Sequence, residues 1–353
     1  MKILDRYIGT AVASSALIVM LILLSLFTFS SFLRELDDVG TGRYGMLEAL
    51  YYVLLTLPEM AYQLFPVVAL LGSVIGLGLL AGHGELTVIR AAGVSIMQIV
   101  VSVMKVGLLL VIAATVIGEW LAPLCRQQAL SMRTAALERD FNLISINSFW
   151  ARDGQFFINI RNFSPNGDLG GITIYAFNAS QLASITYAKS ASYRDGGWQL
   201  KEVKRSEISS AGVQVSFEQQ LPWATLLDPD MLDVVAITSE SLSIVGLLKY
   251  IEYLQDNGLD AGVQRAALWK KIVAPVTTAV MVFLAVPFVF GSLRSVSMGQ
   301  RVLVGTLVGV GFHLLNQIVG YAGIVYEFNP IAVAIVPTAI FLLAALMMTR
   351  RIL

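Results

Sequence analysis

The sequence predicts an α-helical membrane protein: six transmembrane helices, with a strand-built domain inserted between helices three and four. Three observations predict it. The chain is 56% hydrophobic and only 14% charged, with a mean hydropathy of +0.73, whereas soluble proteins carry roughly 25% charge. Five uncharged runs reach or exceed the ~20 residues that cross a bilayer: Tyr7–Leu33, Met60–Gly84, Ile272–Leu293, Val302–Tyr326 and Phe328–Thr349. A sixth, Ala91–Gly118, is broken only by Lys105. Between the third and fourth runs, residues 126–271 hold 29 of the 48 charged side chains (24 basic and 24 acidic).

Helix one runs to about Leu33 and is too long, without a small-residue cleavage site after it, to be a removable signal peptide. A polar loop follows, with Arg34, Glu35, Asp37 and Asp38. Helix two holds Pro58 and Pro66, tolerated in a membrane because neighbouring groups re-satisfy the freed carbonyls. Gly72, Gly76 and Gly78 suit close helix packing. Glu85–Arg90, bounded by Gly84 and Gly93, reads as a short amphipathic helix, with Leu86, Val88 and Ile89 facing lipid or a partner. Such a helix across the ends of two spans fits a groove of another protein; an ordinary interfacial helix is the plain alternative.

The insert alternates in Phe156–Arg161, Gly171–Phe177, Ser184–Tyr193, Trp198–Ile208 and Val213–Phe217. Turn signals lie at Asn166-Gly, Gly170-Gly and Asp195-Gly-Gly. Short strands at this spacing predict an antiparallel sandwich or open roll. Ser241 then caps a helix through Leu254, whose apolar face is Leu247, Leu248, Ile251 and Leu254 and which ends at Asn257-Gly. A second short helix from about Asp260 leads into span four. The boundaries are therefore 1–125 for helices one to three, with the short cytoplasmic helix at about 84–92, 126–240 for the strand domain, 241–270 for a helical connector and 271–353 for helices four to six.

With the N-terminus placed inside, the inner segments carry Lys2, Arg6, Arg90, Arg294, Arg301, Arg350 and Arg351. The short outer loops carry only Arg34 and Arg43. This asymmetry predicts both termini in the cytoplasm and the insert outside, which in a bacterium is the periplasm.

Catalytic constellations are missing from the sequence. No lysine follows a glycine, so there is no P-loop. The two histidines, His83 and His313, stand far apart and match no zinc motif, and a lone cysteine, Cys125, permits no intrachain disulfide. We therefore expect no catalytic residue, no metal site and no cofactor bound by this chain. Zero net charge gives no nucleic-acid footprint. Ionisable residues at membrane depth are functional candidates: Glu59, Lys105, Glu119 and His313, too scattered for a proton relay. A basic ledge is more coherent. Arg34 and Arg43 follow span one, Arg126 and Arg133 follow span three, and Arg265, Lys270 and Lys271 precede span four. Above helices rich in Phe (Phe27, Phe29, Phe32, Phe65), such charges suit a ligand with an anionic head and apolar tails. Ordinary contact with lipid headgroups is the competing explanation for each.

Several stretches carry a family resemblance: Leu4-Asp-Arg-Tyr-Ile-Gly9, Glu85-Leu-Thr-Val-Ile-Arg-Ala-Ala-Gly93, Gly118-Glu-Trp-Leu-Ala-Pro123, Leu169–Phe177, Leu242–Leu254, Phe290–Arg301, and Pro330 with Pro337. In order and over the whole chain, they resemble the permeases of the lipopolysaccharide exporter, the LptF/LptG family, and the LptG branch more than the LptF branch. The resemblance implies a permease subunit that extracts lipopolysaccharide from the inner membrane and passes it to a periplasmic bridge. It implies a periplasmic β-jellyroll, a homologous LptF partner, two LptB ATPase subunits that use the ATP, and onward contact with LptC and LptA.

Carried over by residue, it makes Glu85, Leu86, Ile89 and Arg90 the ATPase-coupling helix. Arg133 matches a family basic position expected to meet cargo phosphates; on the ledge reading Arg34, Arg126, Arg265 and Lys271 would join it at the anionic head, with Phe27, Phe29 and Phe65 at the acyl chains. One departure is that lysines common in the family near the outer end of span one are replaced here by Ser30–Asp38, where Asp37 and Asp38 oppose Arg34. An inner apolar face of the insert, including Phe157, Ile172, Ile174 and Tyr187, would be the path for lipid tails. Two alternatives stay open at this stage: a secondary transporter working alone, and a non-transporting scaffold whose outer domain only binds partners.

Overall fold

The computed structural model describes residues 2–137, 149–163, 168–178, 181–194, 197–209, 212–223, 241–291 and 297–351. The chain divides into two compact units. One comprises Met1–Val39, Ala49–Ala129 and Gly262–Leu353; the other comprises Gly40–Glu48 and Leu130–Ala261.

The first unit is helical. Its elements are α1 (Lys2–Glu35), α2 (Met46–Gly82), the short α3 (Glu85–Ala91), α4 (Ile96–Val116), a π-helical turn (Ile117–Leu121) running into α5 (Ala122–Ala136), then α7 (Gly262–Phe290), α8 (Met298–Val325) and α9 (Pro330–Arg350). Among the described residues, six stretches are long and apolar enough to cross a membrane: Ile3–Asp38, Met46–Gly82, Ile96–Ala136, Gly262–Phe290, Gly299–Val325 and Pro330–Arg350. Neither Pro58 nor Pro66 breaks α2, whose 37 residues extend roughly 55 Å at ~1.5 Å per residue.

Small residues set the closest approach. A Cβ added to Gly72 would lie 2.4 Å from the Ala16 Cα, and one added to Gly76 2.8 Å from the Ala11 carbonyl. The Gly-x-x-x-Gly spacing on α2 thus seats α1 backbone to backbone. Around this seam Ile8, Val12, Leu77, Ile99, Val103, Val282 and Val286 form one apolar cluster, and Leu70, Val74, Met281, Leu284, Phe312 and Ala345 form another. Ser95 and Ser297 begin α4 and α8 with reciprocal capping boxes, closed by Gln98 and Gln300, which satisfy orphan N–H groups at those starts.

Two boundaries differ from the sequence expectation. Span three does not stop near Gly118: it continues as one helical rod to Ala136, so Arg126 and Arg133 ride on it. No separate helix starts near Asp260, because Gly262 already opens α7, and Arg265, Lys270 and Lys271 belong to span four's own helix.

Among its described residues the second unit holds six strands: β1 (Phe149–Asp153), β2 (Phe156–Phe163), β3 (Leu169–Asn178), β4 (Gln181–Arg194), β5 (Gly197–Ser209) and β6 (Gly212–Trp223). They pair antiparallel in sequential order, β1-β2-β3-β4-β5-β6. Gly170 and Gly171 lie inside β3 rather than at a turn, and Asn166-Gly and Asp195-Gly196 fall outside the described residues. The register separates two faces. Ile158 pairs with Ile174, Ile160 with Ile172 and Ala188 with Val203. All are buried, and this is the sheet's apolar core.

Phe157 pairs with Tyr175, and Thr173 with Tyr187, on the opposite face. The expected inner face therefore mixed two sides. Side chains in a strand alternate, so Phe157 and Tyr187 cannot join Ile172 and Ile174. Helix α6 (Ile244–Asp256) is capped by Ser243, whose hydroxyl accepts from the Gly246 N–H, rather than by Ser241. It buries Leu247, Ile251, Tyr253 and Leu254, while Leu248 is turned outward.

Candidate functional site

The most elaborate polar cluster of the helical unit is built on a proline. Within the π turn the Ala122 N–H reaches back to the Ile117 carbonyl, and the next residue, Pro123, has no N–H to give. The Gly118 carbonyl is thereby left without a backbone donor at either position four or five residues on. Lys271 of α7 supplies one: its ammonium donates to the Gly118 oxygen at 3.2 Å and lies 3.4 Å from Glu119 Oε1. The Tyr62 ring of α2 sits beneath the ammonium, 5.5 Å to the centroid. The same ring closes against Gly118, where an added Cβ would come within 2.4 Å of it. One turn earlier on α2, Glu59 stands 3.5 Å from the Arg126 guanidinium, whose Nη1 also reaches the Tyr52 hydroxyl at 3.4 Å. Carbonyl, carboxylate and ring together compensate a buried cation, which would otherwise be costly.

A second cluster supports α3. Tyr7 donates its hydroxyl to Glu85 at 2.7 Å, and His83 Nδ1 lies 3.7 Å from the same carboxylate. Leu86 is buried and Ile89 packs beside it on the cluster around Ile8 and Leu77. Val88 and Arg90 are exposed. This corrects one expectation: Leu86 faces the chain's own core, and the outward face of α3 is Val88 with Arg90.

The other expected residues separate into groups. Arg34 is exposed and donates to Ser31 Oγ at 2.8 Å; Arg265 is exposed and Arg133 half-buried. Phe27 and Phe29 are exposed on α1. Phe65 is 6% exposed and is unavailable to acyl chains because helices enclose it. Lys271 is likewise 7% exposed and its charge is engaged inside the chain, so it leaves the ledge. The groups flagged at membrane depth fall into pairs: Glu59 with Arg126, Glu119 with Lys271, Lys105 with Asp5 at 2.6 Å, and His313 beside Gln317. Ser102 also donates to Asp5. Sequence reasoning missed Tyr62 and the role of Gly118. The only signal was Pro123 one turn after a glycine, and nothing in the sequence tied it to a lysine 153 residues away. No group of three or more potential metal ligands occurs among the described residues.

The model of the lipopolysaccharide export system permease family LptF/LptG matches residues 6–351. The chain belongs to this family. It is similar to the lipopolysaccharide export system permease protein LptG of Escherichia coli K12, 39% identical over 354 residues, covering 99% of this chain and 98% of that protein. It is also similar to LptG of Haemophilus influenzae, 36% identical over 342 residues and 96% of each chain. As a member of a permease family with six helices of spanning length, it is a multi-pass inner-membrane protein. Neither polar cluster in this LptF/LptG member has the form of a catalytic site. The first ties spans two, three and four together, and the second fixes the short helix.

Proposed function

We propose that the chain is the LptG-type permease subunit of an ATP-driven lipopolysaccharide exporter, working with an LptF partner and two LptB ATPase subunits. The carrying observation is the match to LptG over essentially the full length of both chains. The positive-inside bias supports cytoplasmic termini and a periplasmic strand domain. The separate antiparallel sheet supports a strand domain that passes cargo on toward LptC and LptA; its jellyroll closure is proposed from the family resemblance alone. Helix α3 supports the ATPase contact: Leu86 anchors it while Val88 and Arg90 face outward, the arrangement of an amphipathic helix seated in a partner's groove. Arg34, Arg133 and Arg265 are the proposed partners of the cargo's anionic head, with Arg126 contributing from its pair with Glu59. Phe27 and Phe29 are the proposed acyl contacts.

The experiment is ATP-driven release of lipopolysaccharide from proteoliposomes containing this chain, LptF and LptB. Release is expected only with all three. Release by this chain without the ATPase would replace the reading with the secondary transporter, which the pairing of the intramembrane charges already disfavours.

A further inference from the structure

We propose that the aromatic face of the sheet, opposite its aliphatic core, docks on the anionic headgroup layer of a phospholipid bilayer. The two faces of the sheet differ in kind. The core face closes on aliphatic residues in β2–β4 and mixes acids with bases in β5 and β6, where Arg205 pairs with Glu207 at 3.0 Å. The other face presents rings and cations. Along one row run Trp150, Asn159, Thr173, Tyr187, Lys204 and Phe217; along the next run Arg152, Phe157, Tyr175, Ile185, Ser206 and Val215.

The rings are not packed away. Trp150 is 55% exposed and Phe217 76%, although Trp150 and Tyr175 stack with centroids 5.7 Å apart. Beneath the rings of these two rows, Asn159 and Thr173 are buried polar residues; farther along the same alternation Leu169, Ala191, Leu200 and Trp198 are buried, so the patch of exposed rings centres on the rows of Trp150 and Arg152. Trp150, Phe157, Tyr175 and Phe177 leave between them an apolar slot of about 240 Å³.

Charge on this face is predominantly positive. Among the described strand residues it carries four cations, Arg152, Arg161, Lys189 and Lys204, and one acid, Glu202, which accepts from Lys189 at 2.8 and 3.0 Å. Two cations lie over exposed rings: Arg152 at 5.3 Å from the Phe157 centroid and Lys204 at 5.9 Å from that of Phe217. Amphipathic rings and long-stemmed cations are the residues that settle at a membrane–water boundary. There the ring body meets acyl chains and the charged tip stays among phosphates. Protein interface cores share the aromatics and arginine but are depleted in lysine, so Lys189 and Lys204 among the rings favour the headgroup layer over a protein partner. The strand domain is joined at both ends to helices of spanning length, so a bilayer is always at high effective concentration. The inference rests on the chain spanning a membrane and not on the identity of its cargo.

The test uses the full-length chain carrying Cys125→Ser, in nanodiscs free of lipopolysaccharide. A polarity-sensitive fluorophore is placed at Ser206→Cys on the aromatic face or at Ser216→Cys on the other. Discs are phosphatidylcholine alone or mixed with phosphatidylglycerol, with lipids spin-labelled near the headgroup as quenchers. Severalfold stronger quenching is expected at position 206 than at 216, increased by phosphatidylglycerol, lowered by salt and abolished by Arg152→Glu with Lys204→Glu. Equal lipid quenching at both positions overturns the proposal. So does protection of position 206 from aqueous iodide without lipid quenching, which would mark a protein contact. Should the double variant fold poorly, the salt and lipid dependence of the unreversed chain decides the question.

Discussion

The ammonium of Lys271 on α7 completes the hydrogen bonding of Gly118, a carbonyl orphaned by the π turn and Pro123. Span four thereby supplies what span three cannot supply for itself. Replacing Lys271 by Met removes the donor and leaves Glu119 facing a freed carbonyl. Breaking a sealed buried pair costs about 3–5 kcal/mol. Glu119 keeps 20% of its side chain exposed, so a loss of about 2 kcal/mol is expected, read as a lower unfolding midpoint in detergent. Adding Glu119→Gln should recover part of that loss, and a single variant as stable as the parent would refute the role.

The seam between α1 and α2 should tolerate no side chain. Gly72→Val puts atoms inside Ala16, and overpacking of this kind costs about 1–3 kcal/mol or more. Gly311, with nothing within 4 Å of an added Cβ, is the control. Gly311→Ala should be neutral or stabilising by up to ~1 kcal/mol through helix propensity. Thermal unfolding of the two variants side by side decides it.

Helix α3 separates anchoring from docking. Val88→Asp and Arg90→Glu alter exposed positions, so they should leave expression and melting unchanged while ATPase co-purification falls. Leu86→Asp places a carboxylate in the cluster around Ile8 and should lower folded yield itself. Retained ATPase binding by Val88→Asp with Arg90→Glu would remove α3 as the coupling element.

Tyr253 of the strand unit donates its hydroxyl to the Arg152 carbonyl at 3.2 Å, and burial pushes its pKa up from 10.0 to about 12. The folded state therefore holds the phenolic proton more tightly than the unfolded state. The stabilisation is complete below pH ~10 and is lost as pH rises from there toward ~12, because the unfolded chain releases the proton first. Absorbance titration should show a phenolate step near pH 12 that Tyr253→Phe removes. Tyr253→Phe should cost about 1 kcal/mol and flatten the alkaline end of the stability curve.

Much of the architecture was legible because periodicity and length are strong local signals. Five spans read as uncharged runs and the sixth as a run broken only by Lys105, and five of the six described strands read as alternating ones. Strand β1 escaped because Phe149–Asp153 is short and mixed. The sequence also hid which residues of neighbouring strands share a face. Register is set by pairing, so Phe157 was grouped with Ile172 on apolarity alone. The basic ledge was legible as composition but not as exposure: Lys271 and Arg265 look alike in sequence, yet one lies under Tyr62's helix and the other is open. Gly72 and Gly76 were readable because only close backbone approach favours that spacing in an apolar run.

The Pro123 turn also constrains the order in which the protein is made. Gly118 and its donor are separated by 153 positions, with the whole strand domain between them. On a ribosome the third helix enters the bilayer with one carbonyl unanswered, and it stays so until span four arrives. The first half of this permease is therefore an unfinished membrane domain.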